Sequence, residues 1–316
     1  MRLFEHKDFG QLVLQANEHF KAQGLRPALI EKDYYLTEAL RIIAETVPGK
    51  SIFKGGTSLS KGWNLIQRFS EDIDIFLDPA GLGTRALDRE LKKLKDAIGE
   101  HPALEFLKGD SKTIGGFGRK DKFYYDSQFT ASGDVANILI VEAGTASGKE
   151  PTVTVNLQSY LGKFLQEKGT SLGAEDEGAF PMRLLHFRRT FVEKMFAIHS
   201  KVELFKRDKK PIGGYARHYY DLFQLSSKDE VTKMLRSEEY GTIKTDYDKV
   251  SKKHFPKSYF FPEDMRFSNS EALFPGKDLS AALSKEYEFQ CSLLCYGPYP
   301  KWAQVMARFE ELRKIL

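Results

Sequence analysis

Apolar and polar positions change their period several times along the chain, and each change predicts an element. Residues 8–23 and 27–47 read as helices. The second opens on Pro27, carries an apolar stripe through Leu29, Ile30, Tyr34, Leu36, Leu40, Ile43 and Ala44, and stops at Pro48-Gly49. Ser51-Ile52-Phe53-Lys54 then reads as a short strand. Gly55-Gly56-Thr57-Ser58 follows, with a short helix from about Leu59 to Gln67 and a strand, Asp72–Leu77, ending before Pro79. Residues 84–99 have the pattern of a charged surface helix. From about 104 to 160 the period becomes two, with strands expected at Lys122–Phe129, Val135–Glu142 and Thr152–Leu157.

Beyond Pro181 a short strand, Arg183–Phe187, leads into a helix at 188–206 whose stripe is Phe191, Met195, Ile198, Val202 and Phe205. Gly213-Gly214 separates it from a helix at about 215–225, and the remainder is mostly helical to a final helix from Trp302. The pattern predicts an α/β half to about residue 180 and a helical half after it, with no internal repeat.

Composition narrows the class of protein. The 316 residues are 41% hydrophobic and 29% charged, enough apolar material for a packed core. No apolar run approaches the roughly 18 residues of a membrane span, and the N-terminal residues lack the apolar centre of a signal peptide. Cys291 and Cys295, four residues apart on an expected helix, form neither a disulfide framework nor a zinc site, so a reducing cytoplasm is expected. The net charge of +4 identifies no partner. Its distribution says more: residues 188–210 hold eight Lys and Arg against three acids.

Candidate chemistry begins at residue 53. Two glycines let backbone N–H groups approach an anion, and Thr57 and Ser58 would add hydroxyl donors. Asp72 and Asp74 share one face of their strand, while Ile73 and Ile75 take the other. Paired carboxylates repel each other unless a cation sits between them, and hard oxygen donors suit Mg²⁺ or Mn²⁺ held together with substrate phosphates. A phosphate cradle followed by a cation-binding pair is a candidate phosphoryl- or nucleotidyl-transfer site. Glu142, at the end of the apolar run Ile138–Val141, is a candidate third carboxylate or else a solvent-facing strand end; Asn156 is a weaker, neutral candidate.

The stretches Phe53–Lys61 and Arg68–Ile75 resemble the signature of the AbiEii-type nucleotidyltransferase toxins, within the DNA-polymerase-β-like superfamily. Glu31-Lys32-Asp33-Tyr34-Tyr35-Leu36 is similar to that family's leading helix, and Glu193-Lys194 and Arg217-His218-Tyr219-Tyr220-Asp221-Leu222 to its third and fourth motifs. The resemblance implies an α+β nucleotidyltransferase fold, a small mixed sheet flanked by helices and followed by a mostly helical half. Residues 1–180 would be the core, and 181–316 a helical domain supplying Lys194 and Asp221 to the same site.

It also implies nucleotide binding by Gly55, Gly56, Thr57, Ser58 and Lys61, with Asp72 and Asp74, joined by Glu142, holding the metal. Lys194 would contact nucleotide phosphates, and Asp221 would be needed for activity. The substrate would be an NTP, the acceptor RNA, the 3′ end of tRNA above all, and the partner a cognate antitoxin. Where some relatives carry another acid, this chain has His218. Two other readings remain: transfer to a small hydroxylated molecule, and a non-catalytic nucleotide-binding module.

Other residues admit two uses. Lys61 and Arg68 would touch phosphates or be surface charge; Tyr34, Tyr35, Tyr124 and Tyr125 would stack bases or fill the core; His199 is expected to be packed or solvated. The basic, glycine-rich segment Lys108–Lys122 would grip a polynucleotide backbone or form an ordinary hairpin.

Overall fold

The computed structural model describes residues 1–70, 72–129, 136–261 and 266–316. Glu71, within the signature, and Val135, the expected start of one strand, lie outside them. The chain groups into two compact units whose boundaries interleave in sequence. The first is Met1–Gly62, Ser70–Thr145 and Thr152–Leu184; the second is Trp63–Phe69, Ala146–Pro151 and Leu185–Leu316.

The first unit is built on a mixed sheet. Its strands are β1 (Ser51–Lys54), β2 (Asp72–Leu77), β3 (Glu105–Phe106), β4 (Lys112–Ile114), β5 (Gly118–Tyr124), β6 (Ile138–Gly144), β7 (Thr152–Leu157) and β8 (Phe180–Leu185). The order is β3-β5-β6-β2-β1-β8-β7, with β4 paired to β5. β2 runs antiparallel to β1 and parallel to β6. The alternation of β2 does what period two requires: Ile73 and Ile75 are buried, and Asp72 and Asp74 face the half-open side.

Helices α1 (Phe9–His19), α2 (Pro27–Thr46), α3 (Thr84–Gly99) and α4 (Tyr160–Glu167) accompany the sheet. α2 opens on Pro27, where a missing N–H costs nothing, and buries Leu29, Ile30, Tyr34, Leu36 and Leu40. Helix α4, which the apolar pattern did not reveal, is capped by the Ser159 hydroxyl, which accepts from the Gly162 N–H. The helix expected at 59–67 is instead a tight turn at Gly55–Thr57 and a wider one at Ser58–Gly62, after which the left-handed Asn64 (φ 50°) turns the chain away. Lys108–Lys122 forms the hairpin alternative, β4 pairing with β5.

The second unit is helical, with α5 (Phe187–Asp208), α6 (Arg217–Ser226), α7 (Asp229–Leu235), α8 (Glu238–His254), α9 (Lys277–Leu294) and α10 (Trp302–Leu312). α5 is central. Phe191, Met195, Ile198 and Val202 are buried as its stripe predicts, and so are Val192 and Phe196 on its flanks. Each fully buried side chain of this size contributes about 1.5–3 kcal/mol of hydrophobic stabilisation. Among the described residues, no helix is long and apolar enough to cross a membrane.

Candidate active site

The loop after β1 is shaped around a carboxylate. Gly55 has φ +76°, a conformation that side chains rarely adopt, and a Cβ placed there would lie 1.9 Å from Asp74 Oδ2. Glycine therefore serves twice, by permitting the turn and by letting Asp74 rest against the backbone. The Thr57 hydroxyl donates to the Asp72 carbonyl, and the Ser58 hydroxyl to the Gly55 carbonyl at 2.9 Å. Both side chains are buried. The expected hydroxyl donors are thus spent on the loop itself, Thr57 tying it to β2 and Ser58 to its own first residue.

Register brings Glu142 into the same neighbourhood. Asp74 pairs with Glu142 across β2 and β6, Lys120 with Glu142 across β5 and β6, and Lys54 with Asp74 across β1 and β2. Lys120 Nζ lies 2.5 Å from Glu142 Oε1 and 3.9 Å from Asp72 Oδ1. Partial burial pulls the Lys120 ammonium down, but Glu142, Asp72 and Asp74 outweigh it and leave the group more basic than an ordinary lysine. Asn156 lies on β7, at the far edge of the sheet from β6, and is exposed. That placement removes it as a neutral ligand to the pair on β2.

Among the described residues, no three acid, His or Cys side chains converge into a ready cation cage. The fit to a divalent cation rests on the donor set: two hard carboxylates two residues apart on one strand face, one resting on the glycine turn. That suits Mg²⁺ or Mn²⁺, which bind through one or two carboxylates and complete their shell with substrate phosphate and water.

Lys61 is placed differently from the phosphate contact expected of it. Its ammonium is buried, 2.6 Å from Asp33 Oδ1 and 3.2 Å from the Gln158 carbonyl, while Asp33 Oδ2 accepts from the Tyr160 N–H. Burial lowers the Lys61 pKa, opposed by Asp33. The rest of the leading motif is likewise structural. Glu31 accepts from Ser127 and from the Gln128 N–H, Lys32 donates to the Ala136 carbonyl at 2.8 Å, and the Tyr34 hydroxyl donates to Asp176 at 2.5 Å. Tyr34, Tyr35 and Tyr125 are core, and Tyr124 is exposed. His199 is packed against Ser270.

In the second unit, α5 and α6 bring Lys194 and Asp221 together. Lys194 Nζ lies 2.7 Å from Asp221 Oδ2 and 3.2 Å from His218 Nδ1. Arg68 completes the cluster, as its Nε and Nη2 donate to the two Asp221 oxygens at 2.6 and 2.7 Å, and its Nη1 to the Phe69 carbonyl. Arg68 is 2% exposed and Asp221 0%, so Arg68 is neither a phosphate contact nor surface charge. Burial would raise the Asp221 carboxyl, but Arg68 and Lys194 hold it well below the usual carboxylate range. Burial and the Lys194 charge push His218 down to about 3, so it is neutral at physiological pH.

Part of the basic excess at 188–210 is compensated by tertiary partners. Arg188 pairs with Glu230 and Glu239, Arg189 with Asp246, Lys194 with Asp221, and Lys206 with Glu271. Asp221 is shared with Arg68, so these acids from elsewhere offset only part of the segment's excess of five. Lys120 belongs to the basic segment Lys108–Lys122, but its place beside Glu142 is visible only once strand register is known.

The AbiEii family model, described as a nucleotidyl transferase AbiEii toxin of the type IV toxin–antitoxin system, matches residues 40–296. No curated protein matches the chain. Among solved structures, MenT4, a nucleotidyltransferase toxin from Mycobacterium tuberculosis H37Rv, is similar at 15% identity and a TM-score of 0.47. The match covers 96% of this chain and 95% of that one. A likeness at that level carries no argument about the site.

Proposed function

Because the chain belongs to the AbiEii nucleotidyl transferase toxin family, we propose that it transfers an NMP from an NTP to an RNA acceptor, the 3′ end of tRNA. The enzyme is a nucleotidyltransferase of a type IV toxin–antitoxin system. The observation that carries the reading of its site is the seating of Asp74 against Gly55, where no Cβ fits. A phosphate-binding turn and a cation-binding carboxylate are thereby held in contact.

In this reading Asp72 and Asp74 hold Mg²⁺ or Mn²⁺, and the Gly55-Gly56 backbone receives NTP phosphate. When bound, the ion neutralises charge developing on the phosphates during transfer. Glu142 stands beside Asp74 as a further acid, its charge matched by Lys120. The assignment of Lys194 to phosphate rests on family membership, while its buried ammonium is held by Asp221. The RNA acceptor rests on family membership. A cognate antitoxin and a cytoplasmic setting belong to the same proposal.

Incubation of the purified protein with each labelled NTP and total tRNA tests this. Label on the tRNA 3′ end, lost in Asp74→Ala, is the expected result. Label confined to small molecules would overturn the acceptor assignment.

A further inference from the structure

The sheet face bearing Asp72 and Asp74 carries its own cations. Across four neighbouring strands the register sets Lys120 beside Glu142, Glu142 beside Asp74, and Asp74 beside Lys54. Paired positions put their side chains on one face, so the row alternates from ammonium through two carboxylates to ammonium. With Asp72 added, three acids and two lysines share the surface. The Lys120 ammonium touches Glu142 and stands 3.9 Å from Asp72.

These groups are not sealed in. The side chains of Lys120, Asp72 and Glu142 are 26%, 21% and 34% exposed, against 1% and 0% for the Arg68–Asp221 pair. A partly hydrated pair on a four-carbon stem is cheap to separate, whereas a buried fork is not. The arrangement is therefore that of an exchangeable cation rather than a structural bridge.

Resting on the reading of Asp72 and Asp74 as cation ligands, we propose that Lys120 is the resident counter-cation of this carboxylate face. Its ammonium neutralises Glu142 and opposes the approach of a divalent ion to Asp72. The nucleotide-free enzyme accordingly binds such an ion weakly, and ion binding ahead of the nucleotide is disfavoured. Lys120 is a positioning residue in this scheme; it acts through Glu142 and Asp72, and no bond to substrate is assigned to it.

Mn²⁺ binding to the full-length, nucleotide-free protein, followed by calorimetry and by the electron paramagnetic resonance of free Mn²⁺, tests the proposal without an activity readout. Lys120→Gln is expected to bind Mn²⁺ about tenfold more tightly than the wild type, the effect of removing one nearby positive charge. Lys120→Arg, which keeps the charge, is expected to stay within about twofold of the wild type. Equal or weaker binding in Lys120→Gln, or tightening in Lys120→Arg as well, would overturn the proposal. Asp72→Ala separates the two layers of the argument. If it binds Mn²⁺ as the wild type does, the assignment of Asp72 as a ligand fails, and the role of Lys120 fails with it.

Discussion

Arg68 grips Asp221 with both arms of its guanidinium, at 2.6 and 2.7 Å, in a place where neither side chain reaches water. The two residues are 153 apart in sequence. Asp221 in turn holds the Lys194 ammonium, so the lysine's position depends on an arginine in a different motif. Removing one member of such a cluster strands a buried charge. Arg68→Met is expected to lose about 3–5 kcal/mol of stability, with Arg68→Lys recovering only part because it lacks the fork. Urea unfolding followed by circular dichroism measures both, and an unchanged midpoint in Arg68→Met would contradict the assignment. Asp221→Asn should also destabilise, so activity lost in that variant must be compared with its folded fraction.

His218 makes stability pH-dependent in a defined direction. It faces Lys194, Asp221, Arg217 and the edge of Tyr215, and its pKa is lowered from 6.5 to about 3. The unfolded chain therefore binds the proton more readily. This contribution is complete above pH 6.5 and declines as pH falls toward about 3. Glu38 has the opposite sign: with its pKa raised to about 7 by burial, its contribution is present below the ordinary carboxylate value and lost as pH rises through 7. His218→Gln should flatten the stability slope between pH 6.5 and 4, as chemical denaturation at a series of pH values would reveal. A slope equal to that of the wild type would be the contrary result.

Gly55→Ala should cost more than the same change at a matched glycine. Gly81 has nearly the same φ, +77°, with nothing within 4 Å of an added Cβ, while Gly55 meets Asp74. Gly81→Ala is expected to cost about 1–2 kcal/mol, the left-handed penalty alone. Gly55→Ala should exceed that, and should abolish nucleotidyl transfer by displacing Asp74. Paired denaturation curves decide it, and equal losses at the two positions would contradict the close seating.

Lys61→Met should act on stability rather than on nucleotide affinity. The variant leaves the half-buried Asp33 without its cation and is expected to lose about 1–3 kcal/mol, while KM for NTP in the folded fraction stays within about twofold. A large rise in KM with unchanged stability would return Lys61 to the phosphates.

The pairing of Arg188 predicts a negative result. Arg188→Gln should leave the dependence of RNA binding on salt unchanged, because Arg188 is already paired with Glu230 and Glu239. A direct phosphate contact would lower the slope of log K against log salt by about one. Filter binding across a salt series distinguishes the two.

Local chemistry was legible in the residues. The Gly55-Gly56 turn, the shared face of Asp72 and Asp74, strand β1, helix α2 and the stripe of α5 depend on neighbours within a few positions, and dihedral freedom and side-chain period act at that range. The helix expected from about Leu59 to Gln67 gives way to the wider turn at Ser58–Gly62 and the left-handed Asn64.

Register, burial and long-range pairing were decided elsewhere. Nothing near residue 120 announces that its ammonium will meet Glu142, and nothing near residue 68 announces Asp221. The same is true of Lys61 with Asp33, and of the acids that pair with Arg188, Arg189 and Lys206. Which residue types stand on which local face follows from the order of residues within a few positions. The tertiary structure alone decided which charges share a low-dielectric neighbourhood, because Coulomb interactions depend on separation in space and on access to water, and neither is set by distance along the chain.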